Sequence, residues 1–137
     1  MRLLGIDCGE KRTGVAIGDT EEGIAIDFTV IETEDSDQVI ADIKTLIEKE
    51  KIEQVVVGFP MGNNNKKTPQ TEKVQRFVEK LRHAIKVSVV CEDERFTTAV
   101  YSKIPKKLRQ GKSLDALAAM SILQGYIDKM KNSSLNS

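Results

Sequence analysis

The sequence predicts an α/β protein in which helices cover both faces of a mixed five-stranded sheet. Three strand-like segments open the chain, and the short glycine-containing gaps between them are typical of antiparallel hairpins. Two later apolar runs have the pattern of strands covered on both faces, and helical patterns separate them as crossover connections do. The predicted order of elements is therefore β-β-β-α-β-α-β-α.

The first three strands are predicted close to the start of the chain. Leu3–Asp7 is a short apolar run that ends in an acid, and Thr13–Asp19 is a second strand-like run after a turn. Gly23–Ile31 alternates apolar and polar residues, which indicates a half-buried strand. Because the gaps are short, we expect the three strands to pair with one another in sequence order and antiparallel.

The middle of the chain predicts two helices and a buried strand. Asp35 is the expected N-cap of the first helix, with Gln38 at the capping-box position, and this helix runs to about Lys51. Ile52–Phe59 ends in a continuous apolar run and is predicted as a strand covered on both faces. Thr68-Pro69 is a typical start for the second helix.

The last part of the chain predicts one more strand and a long final helix. Val87–Cys91 is interpreted as another buried strand, and Thr97–Ile104 as a short helix that Pro105 ends. Ser113 is the expected cap of a final helix that extends to about Lys131 and packs into the body of the protein. We therefore expect one domain over residues 1–131 and a polar, disordered tail over residues 132–137.

Composition excludes several classes of protein. The chain has 137 residues with 21 basic and 21 acidic side chains, so its formal net charge is zero, which excludes a simple polycation. Residues 1–60 contain 6 basic and 14 acidic residues, a net of −8, and residues 61–137 contain 15 and 7, a net of +8. A strong local electrostatic field is therefore compatible with a net charge of zero for the whole chain.

The sequence also gives an expectation about location. It contains no run of 18 apolar residues, and Asp7 interrupts the first apolar stretch, so we expect neither a membrane span nor a secretory signal. Two cysteines are too few for a disulfide framework, and Cys8 and Cys91 are interpreted as small buried residues. A reduced, cytoplasmic location is the expectation.

Three acids fall where a metal site could form. Asp7 ends the first strand, Glu94 follows the last strand, and Asp115 lies in the first turn of the final helix. The ends of the parallel strands meet at one sheet edge, and carboxylate oxygens suit one or two Mg²⁺ or Mn²⁺ ions. Taken singly, each acid has another explanation, since Asp115 could favour the helix dipole, Asp7 could cap a turn and Glu94 could pair with Arg95. Clustered without a cation they would repel one another, which favours the metal site.

Basic residues accompany these acids. Gly9 and Gly14 could let the backbone approach a phosphate, although an ordinary hairpin turn explains them equally. Lys11 and Arg12 follow Asp7 closely. Two further groups are expected near the same edge and could bind phosphates: Lys66 and Lys67, and then Lys103, Lys106, Lys107, Arg109 and Lys112.

Three segments resemble the YqgF family of pre-16S rRNA nucleases, which are also described as Holliday-junction-resolvase-like. They are Gly5–Ala16 (GIDCGEKRTGVA), Asp93–Thr98 (DERFTT) and Leu114–Ala119 (LDALAA), and Val57–Pro60 is similar to a fourth motif. The resemblance implies a ribonuclease H-like fold and metal-dependent phosphodiester hydrolysis in maturation of the 5′ end of 16S rRNA. Position 8 departs from the family pattern, and the stretch from Thr98 to Ser113 is shorter than the family's.

The resemblance also implies roles for individual residues. Its acidic positions fall on Asp7, Glu94 and Asp115, which would be catalytic and would hold the metal, with Asp93 or Glu92 as the alternative to Glu94. The expected substrate contacts are Lys11, Arg12, Arg95, Thr97, Thr98, Lys106, Lys107, Arg109 and Lys112.

The expected partner is nucleic acid, either pre-rRNA or branched DNA, and no membrane. No long exposed apolar stripe indicates a dimer, so a monomer or a weak dimer is expected. Three alternatives stay open. They are a resolvase that acts on four-way DNA, a nucleic-acid-binding module without catalysis, and a nucleotide phosphotransferase related to actin and sugar kinases.

Overall fold

A single five-stranded sheet organises the part of the chain that the computed structural model describes. These residues are 1–59, 68–93, 106 and 114–135, without the side chains of residues 27, 114, 115 and 133–135. The strands are β1 (Arg2–Cys8), β2 (Arg12–Asp19), β3 (Ile24–Glu32), β4 (Gln54–Phe59) and β5 (Ser88–Asp93). Across the sheet they follow the order β3-β2-β1-β4-β5. The β1–β2 and β2–β3 pairs are antiparallel and the β1–β4 and β4–β5 pairs are parallel, which confirms the mixed sheet.

Helices pack on both faces of this sheet, as predicted. They are α1 (Ser36–Lys49), α2 (Pro69–Ala84) and α3 (Leu114–Leu135). One apolar cluster joins α1 and α2 to residues such as Leu4 and Ile6 of β1, and a second joins α3 to Leu3. Successive residues of a strand point to opposite faces, so β1 contributes to both clusters. The buried run predicted for β4 is confirmed, because Val55, Val56 and Val57 are fully buried.

The starts of α1 and α2 follow their sequence signals with one difference, and the predicted cap of the last helix, Ser113, lies outside the described residues. Thr68 caps α2 in a capping box with Thr71. Asp35 caps α1, and its side chain accepts a hydrogen bond from the Asp37 N–H at 3.0 Å. The Gln38 amide instead donates to Asp42 one turn later, so this residue does not complete the predicted capping box. A glutamine at this position can bond either to the backbone of the N-cap residue or to a side chain one turn later, and the sequence pattern does not decide between these two partners.

The first half of strand β3 exposes large apolar side chains and buries a small one. Ile24, Ile26 and Phe28 are 54%, 46% and 40% exposed, whereas Ala25 is 3% exposed. The expectation that the chain has no exposed apolar stripe is therefore wrong for this strand. Ile26 pairs with Ile17 on the face that α1 and α2 cover, but β3 is the outermost strand and these helices leave its first half open. Ala25 lies on the other face and packs in the α3 cluster.

The free edge of β3 is partly protected. The Gln124 side chain of α3 accepts a hydrogen bond from the Ala25 N–H at 2.8 Å and donates one to the Gly23 carbonyl at 2.9 Å. A neighbouring strand would make the same two bonds. The pairing register with β2 also shifts between Val15 and Ala16, which is a bulge. Both features hinder the addition of a further strand.

Strand β5 is less buried than predicted. Val89 is buried, Val90 is half-buried and Cys91 is exposed, so the predictions of a buried strand and of a buried Cys91 are wrong. The reason is topological, because β5 ends the sheet and has a strand neighbour on one side only. Cys8 is half-buried, and neither cysteine forms a disulfide.

The last helix is longer than predicted. α3 continues to Leu135, so residues 132–135 are helical where the sequence suggested an irregular tail beyond Lys131. At an exposed helix end the backbone hydrogen bonds continue without any packing requirement, and apolar periodicity cannot reveal such an extension. None of the helices in the described part of the chain is both long and apolar enough to span a membrane. The predicted short helix over Thr97–Ile104 lies outside the described residues.

Candidate functional site

Asp7 lies at the carboxyl end of the central strand and faces α3. Leu3 belongs to the α3 cluster, and Gly5 and Asp7 follow it on the same face because side chains alternate along a strand. Asp7 is half-buried. In the antiparallel neighbour it pairs with Gly14, which has no side chain. The carboxylate therefore stands at the sheet edge where the parallel strands end, which is a usual place for a site.

Helix α3 approaches β1 very closely at Gly5. A Cβ placed on Gly5 would lie 2.8 Å from the Leu123 Cβ and 3.1 Å from the Ala119 carbonyl oxygen. A Cβ on Gly18, which pairs with Leu3, would meet Ile127 at 2.8 Å. The helix thus runs antiparallel to β1, with its later residues over the start of the strand and its earlier residues over the end.

This direction places the first turn of α3 beside the end of β1. Asp115 is in that turn and precedes Ala119 by one helical turn on the same side of the helix. Gly5 lies close to Ala119, and Asp7 is two residues further along β1, toward the level at which α3 begins. The first turn of α3 therefore lies toward the end of β1 that carries Asp7, and the clustering of Asp7 with Asp115 stays a prediction. The Asp115 side chain lies outside the description.

A row of residues crosses the sheet from Asp7 to β5. Ile6 pairs with Val57, and Gly58, the next residue of β4, pairs with Glu92. Asp7 and Glu92 therefore lie at the same level and on the same face, two strands or roughly 10 Å apart. Glycines lie on both sides of Asp7 in this row, so no side chain from β2 or β4 fills the space next to its carboxylate.

The alternatives to Glu94 differ in their surroundings. The Glu92 side chain is only 13% exposed and forms an ion pair with Lys129 of α3. Hydrogen bonding to Glu92, and then its negative charge, raise the pKa of Lys129. Asp93 is the exposed last residue of β5. Glu94 itself lies outside the described residues. Because an ammonium group already neutralises Glu92, this residue is a poorer metal ligand than the sequence alone suggested.

The donor set fits a hard divalent cation at the Asp7 edge. Carboxylate oxygens are the ligands that Mg²⁺ and Mn²⁺ prefer, and the flanking glycines leave room for an ion with its waters. Within residues 1–59, 68–93 and 116–132, no cluster of three or more acidic, histidine or cysteine side chains could hold a metal alone. A site at this edge would therefore need Asp115 or Glu94 in addition to Asp7.

The predicted phosphate-binding residues are described only in part. Lys11 is exposed in the turn between β1 and β2, and Arg12 begins β2 and pairs with Glu32 at 3.9 Å. A Cβ on Gly9 would lie 2.3 Å from the Arg12 carbonyl oxygen, so this turn needs glycine for close packing. Lys106 is exposed. The remaining predicted contacts lie outside the described residues: Lys66, Lys67, Arg95, Thr97, Thr98, Lys103, Lys107, Arg109 and Lys112.

Sequence reasoning missed a groove on the opposite face of β1. It has a volume of about 850 Å³ and extends from Cys8–Glu10 to the connection between β3 and α1 and along α2. We call it the α2 groove. Four basic side chains line it: Lys73, Arg76, Lys80 and His83. Their spacing of three or four residues is the signal that could have revealed a basic stripe on one side of the helix.

Sequence comparisons connect the chain with a resolvase family and with relatives that are named as nucleases. A family model described as "RuvX: Holliday junction resolvase" matches residues 1–129. The "Putative pre-16S rRNA nuclease" of Caldanaerobacter subterraneus subsp. tengcongensis is 40% identical over 139 residues, which cover 97% of this chain and 100% of that protein. The protein of the same name from Thermoanaerobacter pseudethanolicus is 35% identical, with coverages of 96% and 99%.

Structural comparison supports the same fold. The structure of Thermus thermophilus RuvC matches with a TM-score of 0.65 and 14% identity, covering 96% of this chain and 97% of that one. The fowlpox virus resolvase, solved in complex with Holliday junction DNA, matches with a TM-score of 0.58 and 14% identity, with coverages of 95% and 99%. The predicted ribonuclease H-like fold class is thereby confirmed.

Proposed function

The chain belongs to the RuvX family of Holliday junction resolvases, and from this premise we propose that it is a divalent-metal-dependent nuclease that cleaves pre-16S rRNA near its 5′ end. Relatives that carry the pre-16S rRNA nuclease name align over nearly the whole chain. The observation that carries the catalytic part of the proposal is the position of Asp7. Asp7 is the penultimate residue of the central strand β1, and the antiparallel course of α3 over this strand supports a place for Asp115 beside it.

In this proposal each group of residues has a separate task. Asp7, Asp115 and Glu94 would hold one or two Mg²⁺ or Mn²⁺ ions, which lower the pKa of a bound water and stabilise the leaving oxygen of a phosphodiester. Lys11 and Arg12, which follow Asp7 after the Gly9 turn, would hold phosphates of the substrate backbone. Arg95, Thr97, Thr98, Lys106, Lys107, Arg109 and Lys112 would extend this contact.

A second candidate substrate is four-way DNA. The description of the family model and the junction complex of the fowlpox resolvase favour it. A junction resolvase cuts two strands symmetrically, which suits a two-fold dimer. We propose a monomer or weak dimer in the cytoplasm, where rRNA precursors are processed and where Cys8 and Cys91, which form no disulfide, would stay reduced.

Cleavage assays with an Asp7→Asn variant test the proposal. Wild type, Asp7→Asn and the control Asp42→Asn, an acid on α1 away from the proposed metal edge, are compared on an RNA precursor and on four-way DNA with Mn²⁺. We expect Asp7→Asn to lose about 10²-fold or more in rate, because the metal would lose a ligand. Asp42→Asn should cleave like wild type. Unfolding curves of both variants show whether they are folded.

The outcomes separate the candidates. Preferential cleavage of the RNA supports the processing role, and preferential cleavage of the junction supports the resolvase. Full activity of folded Asp7→Asn would overturn the assignment of the site. A wild type that binds both substrates and cleaves neither would overturn the enzyme and favour the non-catalytic binding module.

A further inference from the structure

We propose that the α2 groove binds a single-stranded segment of the nucleic acid, next to the bond that is cut. The inference rests on the proposed nuclease function and adds a second surface to it. The predicted substrate contacts are expected at the metal edge, whereas the α2 groove lies on the other face of β1. Its lining includes Cys8, which packs against the α1 and α2 cluster, while Asp7 faces α3.

The groove is continuous with the proposed catalytic edge. Gly9 and Glu10, which follow Asp7 after a single residue, form its rim. Two or three residues of chain span at most roughly 10 Å. A strand that leaves the Asp7 edge would therefore enter the groove by passing over one tight turn. No side chain stands on this turn at position 9, where a Cβ would lie 2.3 Å from the Arg12 carbonyl oxygen.

One wall of the groove is a basic stripe. Lys73, Arg76, Lys80 and His83 recur every three or four residues on α2, so they share one side of the helix over a length of roughly 15 Å. This length fits a short strand segment better than one isolated phosphate. The stripe faces open space in the groove, which makes phosphates of an extended strand the complementary ligand.

Two of the four basic residues are available for a ligand. Lys73 pairs with Glu10 at 3.0 Å, and Lys80 pairs with Asp37 at 3.1 Å. In the described part of the chain Arg76 and His83 make neither an ion pair nor a hydrogen bond, and both are exposed. The two existing pairs are exposed and weak, so a phosphate can compete for their lysines.

The opposite wall and the floor fit the bases. Glu34, Thr33 and Ser36 lie across from α2 and supply acceptors for the amino groups of bases. Val74 and the half-buried Phe77 form an apolar floor. The groove is also lined by acids that balance the charge of the stripe: Glu10 and Glu34 from other segments, and Glu79 from α2 itself. Binding is thus local and moderate, in agreement with the neutral net charge of the chain.

A binding experiment without divalent metal tests the groove independently of cleavage. A fluorescein-labelled single-stranded RNA of about ten nucleotides is titrated with wild type, Arg76→Gln and Lys44→Gln at several salt concentrations. Lys44 is an exposed cation on α1 that does not line the groove, which makes it the matched control. We expect Arg76→Gln to bind about 3- to 10-fold more weakly, with the slope of log K against log salt reduced by about 0.7. Lys44→Gln should stay within about twofold of wild type.

Thiol labelling gives a second, site-specific readout. In a Cys91→Ser background Cys8 is the remaining cysteine and lines the groove. We expect the RNA to slow its alkylation. Equal affinities of Arg76→Gln and Lys44→Gln, together with unchanged labelling of Cys8, would overturn the inference. If RNA protects Cys8 but the wild type cleaves nothing when metal is added, the nuclease proposal fails and the groove assignment stands.

Discussion

Replacing Gly5 by alanine tests the packing that brings α3 to the candidate site. The added Cβ would lie 2.8 Å from the Leu123 Cβ and 3.1 Å from the Ala119 carbonyl oxygen. Contacts between carbon atoms are favourable at about 3.5 to 4.0 Å, so α3 and β1 have to separate by roughly 0.7 Å. Both contact atoms belong to the rigid part of α3, which leaves no flexible side chain to move aside.

The expected loss of stability follows from two opposing effects. Overpacking of this kind costs about 1–3 kcal/mol, and replacing glycine in a strand otherwise returns about 0.5–1 kcal/mol. The midpoints of these ranges give a net loss of about 1 kcal/mol. For a chain of 137 residues this lowers Tm by roughly 3–5 °C.

The same displacement should reduce cleavage by more than the folded fraction explains. It moves the first turn of α3, which carries Asp115, relative to the end of β1, which carries Asp7. A displacement near 1 Å can cost about 10²-fold in rate. We therefore expect at least a tenfold loss of cleavage at temperatures where the variant is fully folded.

Thermal unfolding and cleavage assays on Gly5→Ala and Gly125→Ala test whether the close packing of α3 on β1 positions the candidate site. Gly125 is also part of the β1-facing helix α3, but a Cβ there meets nothing within 4 Å. In a helix this replacement should stabilise the protein by up to about 1 kcal/mol and leave cleavage unchanged. If Gly5→Ala unfolds at the wild-type temperature and cleaves at the wild-type rate, the close approach of α3 does not position the site.

Two further predictions concern a helix cap and a thiol. Thr68→Ala should lower the free energy of unfolding by about 1 kcal/mol in a urea titration, because α2 loses its capping box with Thr71; an unchanged midpoint would contradict this. Partial desolvation raises the pKa of Cys91, although the residue as a whole is exposed. The folded state therefore favours the neutral thiol over the thiolate. The contribution of Cys91 to the free energy of unfolding should be complete below the ordinary thiol pKa and should decline as the pH rises through the raised pKa. The variant Cys91→Ser should lack this decline.

Local patterns explain why much of the fold could be predicted. Thr68-Pro69 marks the start of α2 because capping and a proline at the first helical position act within one turn. The run before Phe59 marks β4 as central because its residues are buried on both faces. The predicted acids at the ends of strands follow from the rule that parallel strands end at one edge.

The errors occur where burial depends on distant parts of the chain. Cys91 and Val90 read as buried, yet β5 is an edge strand, and strand order is set by pairings that no local pattern contains. The alternation around Ile24 and Ile26 predicts that one face of β3 is buried, but it does not tell which one. The buried face is that of the small Ala25, because α3 packs closely on that side of the sheet. The α2 groove could not be predicted for the same reason, since its two walls come from segments that only the folded structure brings together.

The antiparallel course of α3 over β1 has a consequence during protein synthesis. Asp7 leaves the ribosome early, and Asp115 follows 108 residues later (115 − 7), after every strand of the sheet. At about 5–20 residues per second this delay is roughly 5–20 s. The proposed acid set therefore stays incomplete until the last helix has been made and has docked. If these acids hold the metal, the protein cannot cut RNA before α3 has been made and has docked on β1.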